Sequence, residues 1–190
     1  MKSPVEILMR KLKMEKTKIL YLTLSILGYI NCFAANDTPS RNNKKSDEYY
    51  MAMAIEMAKL NPKAPFGAVI VDNETGEVLA KGVNKTRVNP TFHGEMDAIN
   101  NCAHQHPHLD WTKVTLYTTA EPCSMCQSAI VWAKISRVVF ATPIQYLTSH
   151  GWDQINIPSA EINQKSPFYK GTITGGVLAD KTNPLFNRLS

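Results

Sequence analysis

The sequence predicts a layered α/β domain behind a separate N-terminal address. Three observations carry this. Short apolar runs of strand type alternate with helical segments through the middle of the 190-residue chain. The first two runs, at 66–71 and 77–83, flank Asn73-Glu74-Thr75-Gly76, a turn that makes them an antiparallel hairpin. Two chemically loaded stretches, His93-Gly94-Glu95 and Pro122-Cys123-Ser124-Met125-Cys126, each fall where a helix should start. An apolar content of 44% and a charged content of 19% are ordinary for a globular chain, and no internal repeat is visible.

The address comes first. Lys16-Thr17-Lys18 is basic, Ile19 to Ile30 is apolar, and Asn31-Cys32-Phe33-Ala34-Ala35 brings small residues near a plausible cut. This is the pattern of a secretory signal peptide over 1–35, so the mature protein is expected to be exported, periplasmic or secreted. The apolar run is shorter than the roughly 20 residues a membrane helix needs, so no stable span is expected in the mature chain. An uncleaved anchor is the rival reading. Met14 is a natural start for such a peptide, and Cys32 reads as a passenger because Tyr29-Ile30-Asn31 makes a poor lipobox. Residues 36–45, polar and holding Pro39, read as a linker, and 46–190 as the folded domain. Six basic side chains against Glu6 and Glu15 place +4 of the formal +5 charge in the first 35 residues. The nearly neutral remainder lacks the footprint of a tight polyanion binder, so nucleic acid is not the expected partner.

The elements follow in order. Ser46 or Asp47 caps a first helix, with Tyr50, Met53, Met57 and Leu60 on its apolar face and Pro62 ending it. The hairpin comes next, then a loop from Asn84 to Thr91. A second helix runs from Gly94 to about His104, with Met96, Ile99 and Cys102 or Ala103 facing the core. His104, His106 and His108 surround Pro107 at a spacing that fits no common metal site and read as a solvated loop. A third strand spans Lys113 to Thr119, a third helix runs from Ser124 through Ile130 and Trp132, and a fourth strand spans Arg137 to Ala141. Beyond it the pattern weakens. A short helix at Gln145 to His150, loop to Phe168, a last strand at Lys170 to Thr174 and a terminal helix from Val177 to Leu189, interrupted by Pro184, are expected.

The two motifs carry the chemistry. Zinc takes imidazole nitrogen and thiolate sulfur, and a catalytic site uses three protein ligands and leaves one position for water. His93, Cys123 and Cys126 make three, with Zn2+ the expected cofactor. The metal lowers the pKa of that water, giving a hydroxide nucleophile at neutral pH. Glu95, a carboxylate beside the ligands, is the candidate general acid and base. A helix N-terminus at the Cys turn favours the thiolate form. A Cys-x-x-Cys pair in an exported chain also suits a non-catalytic zinc or redox module. A structural site usually recruits a fourth protein ligand; Cys102, late in the second helix, reads instead as a buried small hydrophobe.

The H-x-E and P-C-x-x-C pair reproduces a known zinc-deaminase signature. Together with Pro65-Phe66-Gly67-Ala68-Val69, Gly82-Val83-Asn84, Thr115 to Cys126 and Ala129-Ile130-Val131-Trp132-Ala133, it makes 46–141 resemble the cytidine-deaminase-like superfamily. The branch is that of guanine deaminases, tRNA adenosine deaminases and fungal-type cytosine deaminases. The resemblance implies a three-layer α/β/α sandwich around a mixed five-stranded sheet, a homodimer, and hydrolytic release of ammonia from a base or nucleoside. It further implies that Asn84 hydrogen-bonds the base and that Phe66, Gly67 and Ala68 line the pocket. Substrate signals diverge. His-Gly-Glu occurs in cytosine deaminases, Ala129 to Ala133 is similar to guanine deaminases, and Gly176 to Asp180 is similar to the tail of tRNA adenosine deaminases. The place where guanine deaminases carry an acid after the fourth strand holds Gln145 or Tyr146. Trp152, Phe168 and Phe186 are candidate pocket lids. A small diffusible base or nucleoside, guanine type first, is the expected partner; cytosine and tRNA adenosine are the alternatives.

Overall fold

Ser46 caps the first helix by accepting the Tyr49 N–H on its hydroxyl at 3.4 Å, and Asp47 and Glu48 add charge that favours the first helical turn. The computed structural model describes residues 45–187. The expected leader at 1–35 and all but Lys45 of the expected linker lie outside the described residues. Helix α1 (Asp47–Ala58) buries Tyr50, Met51, Ala54 and Ala58. The expected face was Tyr50, Met53, Met57 and Leu60; Met53 and Met57 instead lie at its margin, and Leu60 is past the helix end and exposed. The reason is close approach. A Cβ on Gly67 would lie 2.3 Å from the Ala54 carbonyl oxygen, so the small side chains of α1 face the sheet and the long ones are displaced outward.

Strands β1 (Gly67–Asp72) and β2 (Val78–Val83) form the expected hairpin. Asp72 builds its turn by accepting the N–H groups of Glu74 and Thr75, each at 2.8 Å. Helix α2 (Gly94–Gln105) follows, then a 3₁₀ turn at Trp111–Lys113, β3 (Val114–Ala120), α3 (Ser124–Ala133) and β4 (Arg137–Thr142). Helix α2 buries Glu95, Asp97, Ala98 and Cys102, whereas Met96 and Ile99 are only partly buried and Ala103 is exposed. An apolar-periodicity argument misses this face because two of its buried positions are acidic.

The sheet order is β2-β1-β3-β4-β5, where β5 is the late strand Thr172–Thr174, with β1 antiparallel to both neighbours and β3, β4 and β5 parallel. The mixed five-stranded sheet therefore forms as expected. Alternation along each strand splits the core. Val69, Val71, Tyr117, Val139 and Ala141 pack under α1 with Tyr50 and Met51. Ala68, Ile70, Leu116 and Val138 pack on the other face with Ala98, Cys102 and Ile130 of α2 and α3. These are the two outer helical layers of an α/β/α sandwich.

Past β4 the chain forms α4 (Ile144–Ser149), α5 (Ser159–Gln164), β5 (Thr172–Thr174), α6 (Ala179–Thr182) and a 3₁₀ turn at Asn183–Phe186. Helix α5 stands where loop was expected. Its first residue is anchored by Glu121, 38 positions earlier, which no local pattern announces. The terminal helix is short because Pro184 has no N–H to continue an α-helical ladder. Among the described residues, no helix is long and apolar enough to cross a membrane.

Candidate active site

The antiparallel pairing of β1 with β3 brings the start of β1, the end of β2 and the end of β3 to one edge of the sheet. Two helix N-termini meet there. His93 is the N-cap of α2 and Cys123 the N-cap of α3, both in extended backbone conformation. Neither side chain makes the capping bond such a residue usually makes, which leaves imidazole and thiol to face each other. Cys123 Sγ lies 3.6 Å from His93 Nδ1. Cys126, one turn into α3, is fully buried, and the three ligand atoms lie within 4.8 Å of one another. Donors held about 2.0–2.3 Å from a tetrahedral zinc sit about 3.3–3.8 Å apart, so this donor set and spacing fit zinc. Among the described residues this is the one such group of His, Cys, Asp and Glu.

The electrostatics agree. A hydrogen bond from the Cys126 thiol lowers Cys123 to about 4 against the opposing effect of burial, and His93 lowers it further. Cys126 is pushed well above its ordinary value by that same bond and by burial. His93 is raised by its bond to Cys123. The group thus favours a thiolate at Cys123, and zinc binding would displace the protons left on its ligands. Glu95 follows His93 by two residues and is 3% exposed. Burial raises its pKa first and the Cys123 thiolate second, and its Oε1 accepts the Thr118 hydroxyl at 3.3 Å.

These groups border a cavity of roughly 200 Å³. His93, Glu95 and Cys123 line it together with Asn84, Thr86, Ala64 and Phe66. Asn84 is nearly buried, and its backbone N–H donates to the Phe66 carbonyl at 2.9 Å. Phe66 packs edge-on against Trp152 at 5.1 Å and tilted against Phe186 at 5.0 Å. Gly67 and Ala68, expected in the lining, are absent from it. The space a Gly67 side chain would fill belongs to α1, and Ala68 lies in the core beneath α2. Gly94 is explained by the same crowding, since a Cβ there would sit 2.7 Å from the Phe66 carbonyl oxygen.

Several residues of the cavity were not found from sequence. Glu121 lines it while accepting from Ile144 N–H at 3.0 Å and from Ser159 N–H and hydroxyl at 2.9 and 2.8 Å. Asp153 and Gln154 line it as well, next in the chain to Trp152. Of the three aromatic candidates, Trp152 lines the cavity, Phe186 is buried behind it, and Phe168 is half exposed against Trp132. Gln145 is exposed and Tyr146 stacks on His150 at 3.9 Å, so the acid near the cavity after β4 is Asp153. An acid directly after an aromatic lid candidate was the available signal. Cys102 is a core thiol that burial pushes to about 11. His104 and His108 are exposed, and His106 meets the Leu79 carbonyl at 3.2 Å.

Comparison with known proteins gives the same fold and motif. Residues 44–142 match the cytidine and deoxycytidylate deaminase zinc-binding region. The chain is 39% identical over 110 residues to the tRNA-specific adenosine deaminase of Buchnera aphidicola, covering 55% of this chain and 67% of that protein. It is 33% identical over 132 residues to the guanine deaminase of Bacillus subtilis, covering 65% and 82%. The solved guanine deaminase of Nitrosomonas europaea aligns with a TM-score of 0.63 at 24% identity, over 77% of this chain and 87% of that one, a likeness of fold.

Proposed function

This chain belongs to the zinc-binding cytidine and deoxycytidylate deaminase family, and on that footing we propose that it deaminates a free purine base of the guanine type. As a member of that family it is a zinc-dependent hydrolase acting on C–N bonds. His93 Nδ1 and the thiolates of Cys123 and Cys126 hold the metal. Zinc, when bound, supplies the Lewis acidity that makes water a nucleophile near neutral pH. Glu95 takes a proton from the attacking water and delivers protons to the ring nitrogen and to the leaving amine, so that ammonia departs. Burial, which favours the protonated carboxyl, suits the delivery steps. Asn84 bonds an edge of the base, and Phe66 offers an aromatic surface for its ring.

The observation that carries the substrate is Asp153, an exposed acid lining the same cavity as Glu95 and Asn84. A carboxylate only accepts hydrogen bonds, and guanine offers an N1–H and a 2-amino group where adenine offers a bare N1. The cavity is smaller than the roughly 300–1,000 Å³ of sites for drug-sized ligands, which suits a single heterocycle. The near neutrality of the chain beyond residue 35 points the same way.

A second reading is deamination of adenosine in tRNA, favoured by the identity to the Buchnera aphidicola enzyme. Ammonia release from guanine, guanosine, adenosine, cytosine, cytidine and tRNA separates the two. Guanine turnover is the expected result. Silence on guanine with tRNA deamination that weakens steeply with salt overturns the first reading in favour of the second. The same reading has the chain exported after cleavage near residue 35 and acting as a homodimer. N-terminal sequencing and sedimentation of the mature protein test these two points.

A further inference from the structure

Asn84 lies between β2 and α2, and a single carboxylate holds the residues on both sides of it. Asp97, in the first turn of α2, is 5% exposed. Its Oδ2 accepts the Val83 N–H at 3.0 Å, and its Oδ1 accepts Lys85 Nζ at 2.8 Å. Asn84 is held at its own backbone as well, where its carbonyl accepts Asn61 Nδ2 at 3.0 Å. Its side-chain Oδ1 accepts the Thr86 N–H at 3.2 Å and the Thr86 hydroxyl at 2.9 Å. The oxygen end of the amide is thereby turned into the loop, and the Nδ2 end is what Asn84 offers to a ligand in the cavity.

The fold does not need an acid at 97 to hold α2 on β2. A Cβ at Gly82 would lie 2.2 Å from the Gly94 carbonyl and 2.3 Å from the Ala98 nitrogen, so strand and helix already meet backbone to backbone. A buried carboxylate is unfavourable unless its partners are fixed, and those of Asp97 are the two neighbours of Asn84. We propose that Asp97 is the positioning residue for Asn84, gripping Val83 and Lys85 so that the amide between them keeps the orientation that receives the base. This rests on the base-contacting role given to Asn84 above.

The test is a double-mutant cycle on the full-length, zinc-loaded protein with guanine as the probe. Asn84→Ala and Asp97→Ala each raise KM by roughly tenfold, the scale of one hydrogen bond to a charged or buried group, with kcat less affected. In the Asn84→Ala background, Asp97→Ala adds nothing to KM, because Asp97 acts through the amide already removed. An Asp97 effect of equal size in both backgrounds overturns the proposal while leaving the role of Asn84 intact. An Asn84→Ala protein with unchanged KM overturns both. Should Asp97→Ala not fold, Lys85→Met and Asp97→Asn each release one side of the grip and show a smaller rise in KM, again absent without Asn84. Backbone hydrogen exchange is read on the same variants independently of turnover. Faster exchange at Val83 to Thr86 with no change at Met125 to Gln127 is expected, and unchanged exchange at Val83 to Thr86 overturns the proposal.

Discussion

Glu95 and Glu121 are carboxylates on the wall of one cavity, each almost fully buried, and the fold treats them in opposite ways. Glu121 receives two backbone N–H groups and a hydroxyl, all within 3.0 Å. Those donors sit at Ile144 and Ser159, the first residues of α4 and α5, so Glu121 pins both ends of the segment carrying Trp152 and Asp153 to the Cys turn. Glu95 receives the Thr118 hydroxyl at the longer distance of 3.3 Å, its own backbone N–H, and the Cys126 thiol, a weaker donor. Donors fixed at the first residues of two helices make Glu121 a tie between distant segments. At Glu95 burial is the largest influence and outweighs its donors, so its pKa is raised. Two glutamates 26 positions apart therefore divide into a candidate proton carrier and a structural tie.

The comparison can be broken by substitution. The largest effect is expected for Glu95→Gln, which keeps shape and zinc but removes the proton carrier. Turnover should fall by about 10² to 10⁴, with metal content by elemental analysis unchanged. An unaffected rate removes Glu95 from acid and base work. Glu121→Ala should act on stability instead. It strands three buried donors at about 1–3 kcal/mol each, not fully additive, so a loss of about 3 kcal/mol is expected. At this size that lowers the thermal midpoint by roughly 6–12 °C in a calorimetric scan. If Glu121→Ala instead lost turnover at full stability, the division of roles would be reversed. Thr118→Val removes the one hydroxyl on Glu95, and a change in kcat of less than about tenfold is expected, since a single neutral hydrogen bond contributes only about 0.5–1.5 kcal/mol.

A buried hydroxyl near β5 gives the smallest effect and the control. Tyr169 donates to the Ile135 carbonyl, and burial pushes its pKa from 10 to about 12. A raised folded-state pKa means that its stabilising contribution is complete below pH 10 and is lost as pH rises toward 12. Tyr169→Phe should flatten that part of the alkaline unfolding curve without moving turnover at neutral pH. A curve unchanged in shape rejects the tyrosine as its source.

How far the sequence could be read follows from where each signal resides. The hairpin, β3, α3 and β4 were legible because their apolar runs and turn residues are local. The ligand group was legible because His93 and the two cysteines sit at motif spacing, and the pairing of β1 with β3 closes the 30 residues between His93 and Cys123. The inward face of α1 was misread because Gly67 admits the helix so closely that Ala54 and Ala58, rather than the methionines, meet the sheet. Gly67 and Ala68 were placed in the pocket by resemblance, whereas pleat alternation turns one toward α1 and the other into the core beneath α2. Helix α5 was missed because the group that starts it belongs to another part of the chain.

By itself the sequence determined the layered α/β class, the three zinc ligands and the carboxylate beside them, because each is written in residue type at short spacing. Tertiary structure alone decided which donors reach each glutamate, which aromatic reaches the cavity, and that Asp153 lines it while Gln145 does not. The reason is physical. A carboxylate's role depends on which N–H and O–H groups reach its oxygens, and in this fold those donors come from segments tens of residues away.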